Sequence, residues 1–255
     1  MLYLDKRVLF SKGENVSEQT TGTSGENGNA TPLAPFTRLR KRPTRERLLE
    51  AMLVVSGELG YEQVTVQDAI ERAKVSRATF YKHFTDKEDC FAQAYQDASE
   101  WLFRRLIGAA KRRPTWREGL RSGLAELLEF CANQPAIARA LFIEAHAAGG
   151  RALAQHSQSR VRLSHAIDSA RREIPSRQAP PPITATFMVG AIETLVCVKL
   201  MAGEAEQAPE MLPGLLHFVV MQYFGEDAAW EEMASASLAT WNSRRTAAAE
   251  IPAER

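Results

Sequence analysis

Arg77, Ala78, Tyr81 and Lys82 are the residues whose types and spacing most clearly define a chemistry. On a helix, 77/81 and 78/82 are i, i+4 neighbours, so a guanidinium, a methyl, a phenol and an ammonium project from one surface. Such a surface suits the major groove of duplex DNA. Arg and Lys donate to guanine O6 and N7, and a small methyl meets the thymine methyl. Tyr81 and His83 are placed to reach phosphate oxygens, and Lys87 adds a donor beside the free amides of the next helix N-terminus. On the opposite face Phe80 and Phe84 stand at i, i+4, where they can pack with Val66, Ile70, Val75 and a long preceding helix.

Two short helices must hold that surface. Thr65 with Asp68 resembles a capping box, Ala73-Lys74-Val75 is the turn, and Ser76 caps the second helix, which is helix-turn-helix spacing. Upstream, Arg38-Leu-Arg-Lys-Arg42 is a basic run able to trail into a minor groove. Pro43-Thr44 then opens a helix carrying Leu48, Leu49, Met52, Leu53 and Val55, with Gly60 as its stop. Thr85-x-x-Glu88 predicts the start of a helix through Phe91, Ala94, Tyr95, Ala98 and Leu102, and Thr115-x-x-Glu118 repeats the device. Further helical segments lie between Asn133 and Gly149, Arg151 and Ile174, Pro182 and Gly203, and Pro209 and Gly225. Val64 and Val66 alternate too briefly for a strand. The expectation is an all-α protein of nine or ten helices, dividing near residue 110.

Charge supports this reading. The chain of 255 residues has a formal net charge of +1, but residues 38 to 87 hold eleven Lys/Arg against seven acidic residues, and the remainder is net acidic. One basic region on an otherwise acidic protein suits contact with a polyanion. Composition, at 45% hydrophobic and 25% charged, is globular. Ile183 to Met201 is the most membrane-like stretch, yet it carries Glu193 and Lys199, so no membrane span is expected. No signal peptide is read at the N-terminus, and the expected location is cytoplasmic. Cys90, Cys131 and Cys197 form no close pair and read as reduced thiols. Residues 11 to 32 have only Val16 and Ala30 as apolar members, so 1–36 is expected to be disordered.

Gly60-Tyr61, Thr65, Ile70, Ala73, Val75-Ser76, Ala78-Thr79-Phe80-Tyr81, His83-Phe84 and Lys87-Glu88 together resemble the DNA-binding signature of TetR-family (tetracycline-repressor-like) transcriptional regulators. The resemblance covers about residues 44 to 91; beyond them it is architectural. It implies an N-terminal three-helix helix-turn-helix DNA-binding domain, residues 37–90. A long helix then joins it to a C-terminal helical ligand-binding and dimerisation domain, residues 91–243, with a flexible tail at 244–255. It also implies base contacts from Gln67, Arg77, Ala78 and Lys82, and phosphate contacts from Thr65, Thr79, Tyr81, His83 and Lys87. Two positions depart from the family's pattern. Lys74 occupies the turn position usually held by Gly, and Ser56 stands where the opening helix usually has a large aromatic.

The implied function is that of a homodimeric repressor which binds a palindromic operator in double-stranded DNA and is released by a small-molecule effector. Ile183 to Met201 and Leu212 to Phe224, the most apolar helices, would pair with their two-fold copies, or else are core helices of a monomer. Trp101, Phe103, Phe130, Phe142, His146 and Met188 are possible pocket residues; the ligand-binding residues are not readable. Two rivals stand beside this reading. One is an activator or architectural DNA-binding protein without an effector. The other is a metal-dependent hydrolase using His146, His156, His165, Glu144 and Cys131, for which no His-Glu-x-x-His, Glu-x-x-His or Cys-x-x-Cys spacing exists. No enzyme activity, cofactor or metal is expected.

Overall fold

The computed structural model describes residues 43–249. Within them the chain is helical and has no strand. The segment 1–36, the basic run 38–42 and residues 250–255 lie outside the described residues.

The helix-turn-helix forms as its caps dictate. α1 spans Thr44–Leu59 and stops at Gly60, whose φ of 85° is a left-handed-side conformation that a residue without Cβ adopts freely. α2 spans Val66–Ala73 behind a complete capping box, with the Thr65 hydroxyl accepting from the Asp68 amide and the Asp68 carboxylate accepting from the Thr65 amide. α3, Arg77–Tyr81, is capped by Ser76. Phe80, Phe84 and Ile70 are buried, with the two Phe rings 5.5 Å apart, and they close on Leu48, Met52 and Leu53 of α1. Val66 and Val75 are half-buried at the edge of this core.

α4, Lys87–Lys111, starts one residue later than the Thr85 cap predicts. Its N-cap is Asp86, whose carboxylate accepts the Asp89 amide at 2.8 Å. The reason is electrostatic: a carboxylate at the positive end of a helix outcompetes a hydroxyl. α4 packs on α1 at one end and on α5 (Trp116–Asn133, capped by Thr115) and α7 (Gly150–Asp168) along its length. α6, Pro135–Phe142, runs into a 3-10 turn at Glu144–His146. α8 (Thr184–Met201) packs on α7, and α9 (Leu212–Phe224) on α10 (Glu226–Ala249). α10 therefore continues past residue 243, where the sequence reading begins a flexible tail. Residues 243–249 contain neither Gly nor Pro and are rich in Ala, which favours helix.

α8 is long and apolar enough to cross a membrane by length and composition, and a third of it is buried. Cys90 and Cys131 are buried free thiols, and burial pushes the Cys131 thiol up to about 12, far from the thiolate that reactivity requires.

The seam between α1 and α6 is unusually close. Ser56 is fully buried, and a Cβ on Gly57 would lie 1.8 Å from the Ala136 carbonyl oxygen. With two small residues at 56 and 57, where an aromatic would hold the helices apart, their backbones meet. Arg139 of α6 then donates to the Gly57 carbonyl at 3.0 Å and to the Leu200 carbonyl of α8 at 2.9 Å. Gly57→Ala should therefore destabilise the protein by about 1–3 kcal/mol, the usual cost of overpacking a tight interior. Thermal unfolding measures it, and an unchanged Tm would show that the helices can separate freely.

Candidate nucleic-acid interface

α3 is held from behind by Phe80 and from its preceding turn by α1. Lys74, in that turn, has φ 54° and ψ 52°, the left-handed helical region. A residue with a Cβ pays about 1–2 kcal/mol there relative to right-handed helix, so something must hold the turn. Arg47 of α1 does so by donating its guanidinium to the carbonyls of Ala73 and Lys74, the latter at 3.1 Å. The orphan carbonyls at the end of α2 thereby gain a charged donor.

What this frame presents outward is a row of donors. Arg77, Ala78, Tyr81, Lys82 and His83 are all exposed, and the Arg77 guanidinium lies 5.8 Å from the Tyr81 ring centre. That contact limits the rotamers of an otherwise flexible side chain. Among the described residues Lys74, Arg77 and Lys82 have no acidic partner. By contrast, Arg45 pairs with Asp97 at 3.3 Å and Arg72 with Glu58 at 2.8 Å. Part of the basic excess seen in the sequence is thus internal to the protein, and among the described residues the cations without an acidic partner include Lys74 of the turn and Arg77 and Lys82 at α3.

The remaining contact residues of the sequence reading take other positions. Gln67 is exposed on α2 and donates its amide to Glu71 at 2.6 Å. The hydroxyl of Thr65 is engaged with Asp68, and that of half-buried Thr79 with Ser76 at 2.8 Å. Lys87 differs from its expected role as a free phosphate donor. Its ammonium donates to the carbonyls of Tyr61 at 2.9 Å and Val64 at 2.8 Å and lies 4.2 Å from the Tyr61 ring centre. It pins the α1–α2 connection to α4, which leaves one N–H for any phosphate.

Residues 48–94 match the family of bacterial regulatory proteins described as the tetR family. That match covers the helix-turn-helix and the start of α4, and the likeness at the level of sequence is confined to this N-terminal segment. The chain is 39% identical over 61 residues to the HTH-type transcriptional regulator TcmR of Streptomyces glaucescens, and 29% identical over 73 residues to the HTH-type transcriptional repressor KstR2 of Mycolicibacterium smegmatis. These matches cover 24% and 29% of this chain, and only 27% and 36% of the relatives' own lengths. The fold is shared much further. The transcriptional regulator FadR of Bacillus subtilis, solved in complex with stearoyl-CoA, superposes with a TM-score of 0.60 at 17% identity over 70% of this chain and 97% of that one.

Sequence reasoning missed the residues that position the helix-turn-helix. Arg47 belongs to the same basic segment as the outward cations Arg77 and Lys82, and residue type alone does not separate a cation that binds carbonyls from one that stays free. Arg139 and Glu144, which accepts the Tyr61 amide at 2.8 Å, come from the other half of the chain. No local pattern marks them. The two-carbonyl contact of Lys87 gives it a measurable signature without DNA. Lys87→Ala should lower stability by about 2 kcal/mol, from the loss of charge-assisted hydrogen bonds, whereas Lys82→Ala should leave Tm unchanged. Equal effects in thermal melts would return Lys87 to the role of a free surface cation.

Proposed function

We propose that the protein is a sequence-specific DNA-binding transcriptional regulator, a homodimeric repressor that binds a palindromic operator and is released by a small-molecule effector. The observation that carries the reading is the row Arg77, Ala78, Tyr81 and Lys82, exposed on a helix whose preceding turn is clamped by Arg47. Arg77 and Lys82 donate to base edges, Ala78 and Gln67 approach the same groove, and Tyr81, His83, Thr65, Thr79 and the remaining N–H of Lys87 contact phosphates. KstR2 is named a repressor, and a dimer seated on promoter DNA excludes polymerase without further machinery.

Dimerisation is supported by an exposed apolar stripe. Ile183, which caps α8, and Phe187, Val198 and Met201 along one side of it are 55%, 64%, 52% and 61% exposed, and Phe218 and Met221 of α9 are exposed as well. A stripe of water-exposed apolar side chains along one helix supports an interface. A two-fold copy covers them as a four-helix bundle and sets two α3 helices about 34–36 Å apart, one turn of DNA. The effector reading draws on the stearoyl-CoA bound by the similarly folded FadR. In this chain a cleft of about 460 Å³ between α4 and α7 is lined by Gln96, Glu100, Gln155, Ser159 and Arg162, which favours a polar effector.

Titration of the full chain against its preferred duplex at several salt concentrations tests the DNA surface. Log affinity should fall linearly with log salt, because phosphate contacts release counterions. Arg77→Ala should lose about 1–3 kcal/mol of preference for that duplex over random DNA with little change in the salt slope. Retained preference would remove α3 from the interface. Phe187→Glu, at a position already open to water in the protomer, should give a monomer of normal helicity by light scattering; a mass still twice that of the chain would place the dimer elsewhere.

A further inference from the structure

The fold brings together three side chains that the DNA-binding reading does not use. His146 lies on the 3-10 turn after α6, His156 on α7 and Glu193 on α8, and one potential ligand atom from each falls within 4.8 Å of the others. The two imidazole rings are 4.7 Å apart between centres.

The hydrogen bonds around them fix which nitrogens are free. His146 Nδ1 is 3.2 Å from the Ile143 carbonyl, which only accepts, so Nδ1 carries the hydrogen and Nε2 presents a lone pair. His156 is buried, at 4% exposure, and its Nδ1 lies 3.1 Å from the Tyr95 hydroxyl, which is itself within reach of Ser159. Its Nε2 sits 2.7 Å from Glu193 Oε1 yet makes no hydrogen bond there. A hydrogen on Nε2 would be a buried donor aimed away from the carboxylate. With the hydrogen on Nδ1, donated to Tyr95, Nε2 is a lone pair set against a carboxylate oxygen. A buried lone pair facing a half-buried carboxylate at that distance is relieved by a positive centre between them, a proton or a metal ion.

We propose that His146, His156 and Glu193 form a binding site for a divalent transition metal of the Zn²⁺ type. Two imidazoles and one carboxylate, with a fourth position open, is an established ligand set for zinc, and imidazole nitrogens favour such ions over Mg²⁺ or Ca²⁺. Each ligand has its outer partner: Ile143 carbonyl for His146, Tyr95 for His156, and Arg160, whose Nε is 3.0 Å from Oε2, for Glu193. Bonds of about 2.0–2.2 Å in a tetrahedron separate neighbouring ligand atoms by roughly 3.4 Å. His156 and Glu193 therefore spread slightly, and the exposed His146 swings in. His146 shares its turn with Glu144, which holds the Tyr61 amide at the head of the helix-turn-helix. Metal occupancy therefore acts on DNA binding through that turn. This second statement rests on the proposed DNA-binding function; the metal site does not.

The full chain, stripped with a chelator and titrated calorimetrically with Zn²⁺ in the absence of DNA, should take up about one ion per chain, as a single three-residue ligand set implies. Co²⁺ should give the visible bands of a four-coordinate site without thiolate charge transfer. His146→Ala, at an exposed position, and Glu193→Gln should each weaken uptake by at least the roughly 10–100-fold that loss of an outer-shell partner costs, with helicity unchanged. No uptake, or uptake indifferent to both substitutions, overturns the site. Affinity for the preferred duplex, measured with and without Zn²⁺, should then change several-fold for the wild type but not for His146→Ala. Zinc uptake without any change in duplex affinity overturns the coupling alone, and failure to bind duplex in either state overturns the DNA-binding reading while leaving the site standing.

Discussion

The close approach of α1 and α6 at Gly57 is the constraint on which the rest of the molecule depends. A carbonyl oxygen occupies the space that a Cβ would need, and Arg139 ties the two helices to the end of α8 through the Gly57 and Leu200 carbonyls. The helix-turn-helix is thus packed into the helical C-terminal half. Glu144 adds a hydrogen bond from the same side to Tyr61, and Arg151 pairs with Asp89 near the start of α4. A shift of α6 or of the 144–146 turn is carried to α1 by direct contact, because packed interiors transmit strain.

The reading head itself is a small structure held at its weak points. Its turn contains a left-handed lysine, its second helix has five residues, and short helices are unstable alone. Arg47 on the Ala73 and Lys74 carbonyls, Lys87 on the Tyr61 and Val64 carbonyls, and Phe80 in the core compensate. The cations that do this bonding, Arg47 and Lys87, are half-buried, and Arg77 and Lys82 are left outward. That division separates the cations that hold the helix-turn-helix together from those the proposed interface draws on.

Much of this was legible in the sequence because it is local. Thr65 and Asp68 name the start of α2, Ser76 that of α3, and the i, i+4 spacing of Phe80 and Phe84 separates the core face from the Arg77/Lys82 face. The left-handed turn at Lys74 also follows from position. What stayed hidden depends on tertiary placement. Arg47 and Lys87 carry the same charge as DNA-facing residues, Asp86 displaced Thr85 as a cap by one position, and His146, His156 and Glu193 lack any chelating spacing yet converge in the fold. Ser56 was legible as a missing aromatic, but its consequence, the close seam with α6, required knowing which helix lies opposite.

The central claim is that two copies of this chain read one symmetric DNA site through α3. Selection of bound sequences from a random duplex pool by the full chain, at about 0.15 M salt where nonspecific phosphate binding is screened, followed by mass determination of the best complex, tests it most directly. The account predicts enrichment of an inverted repeat with half-site centres about one helical turn apart, bound by an even number of chains. Absence of enrichment over random DNA, or an asymmetric site bound by a single chain, would contradict it.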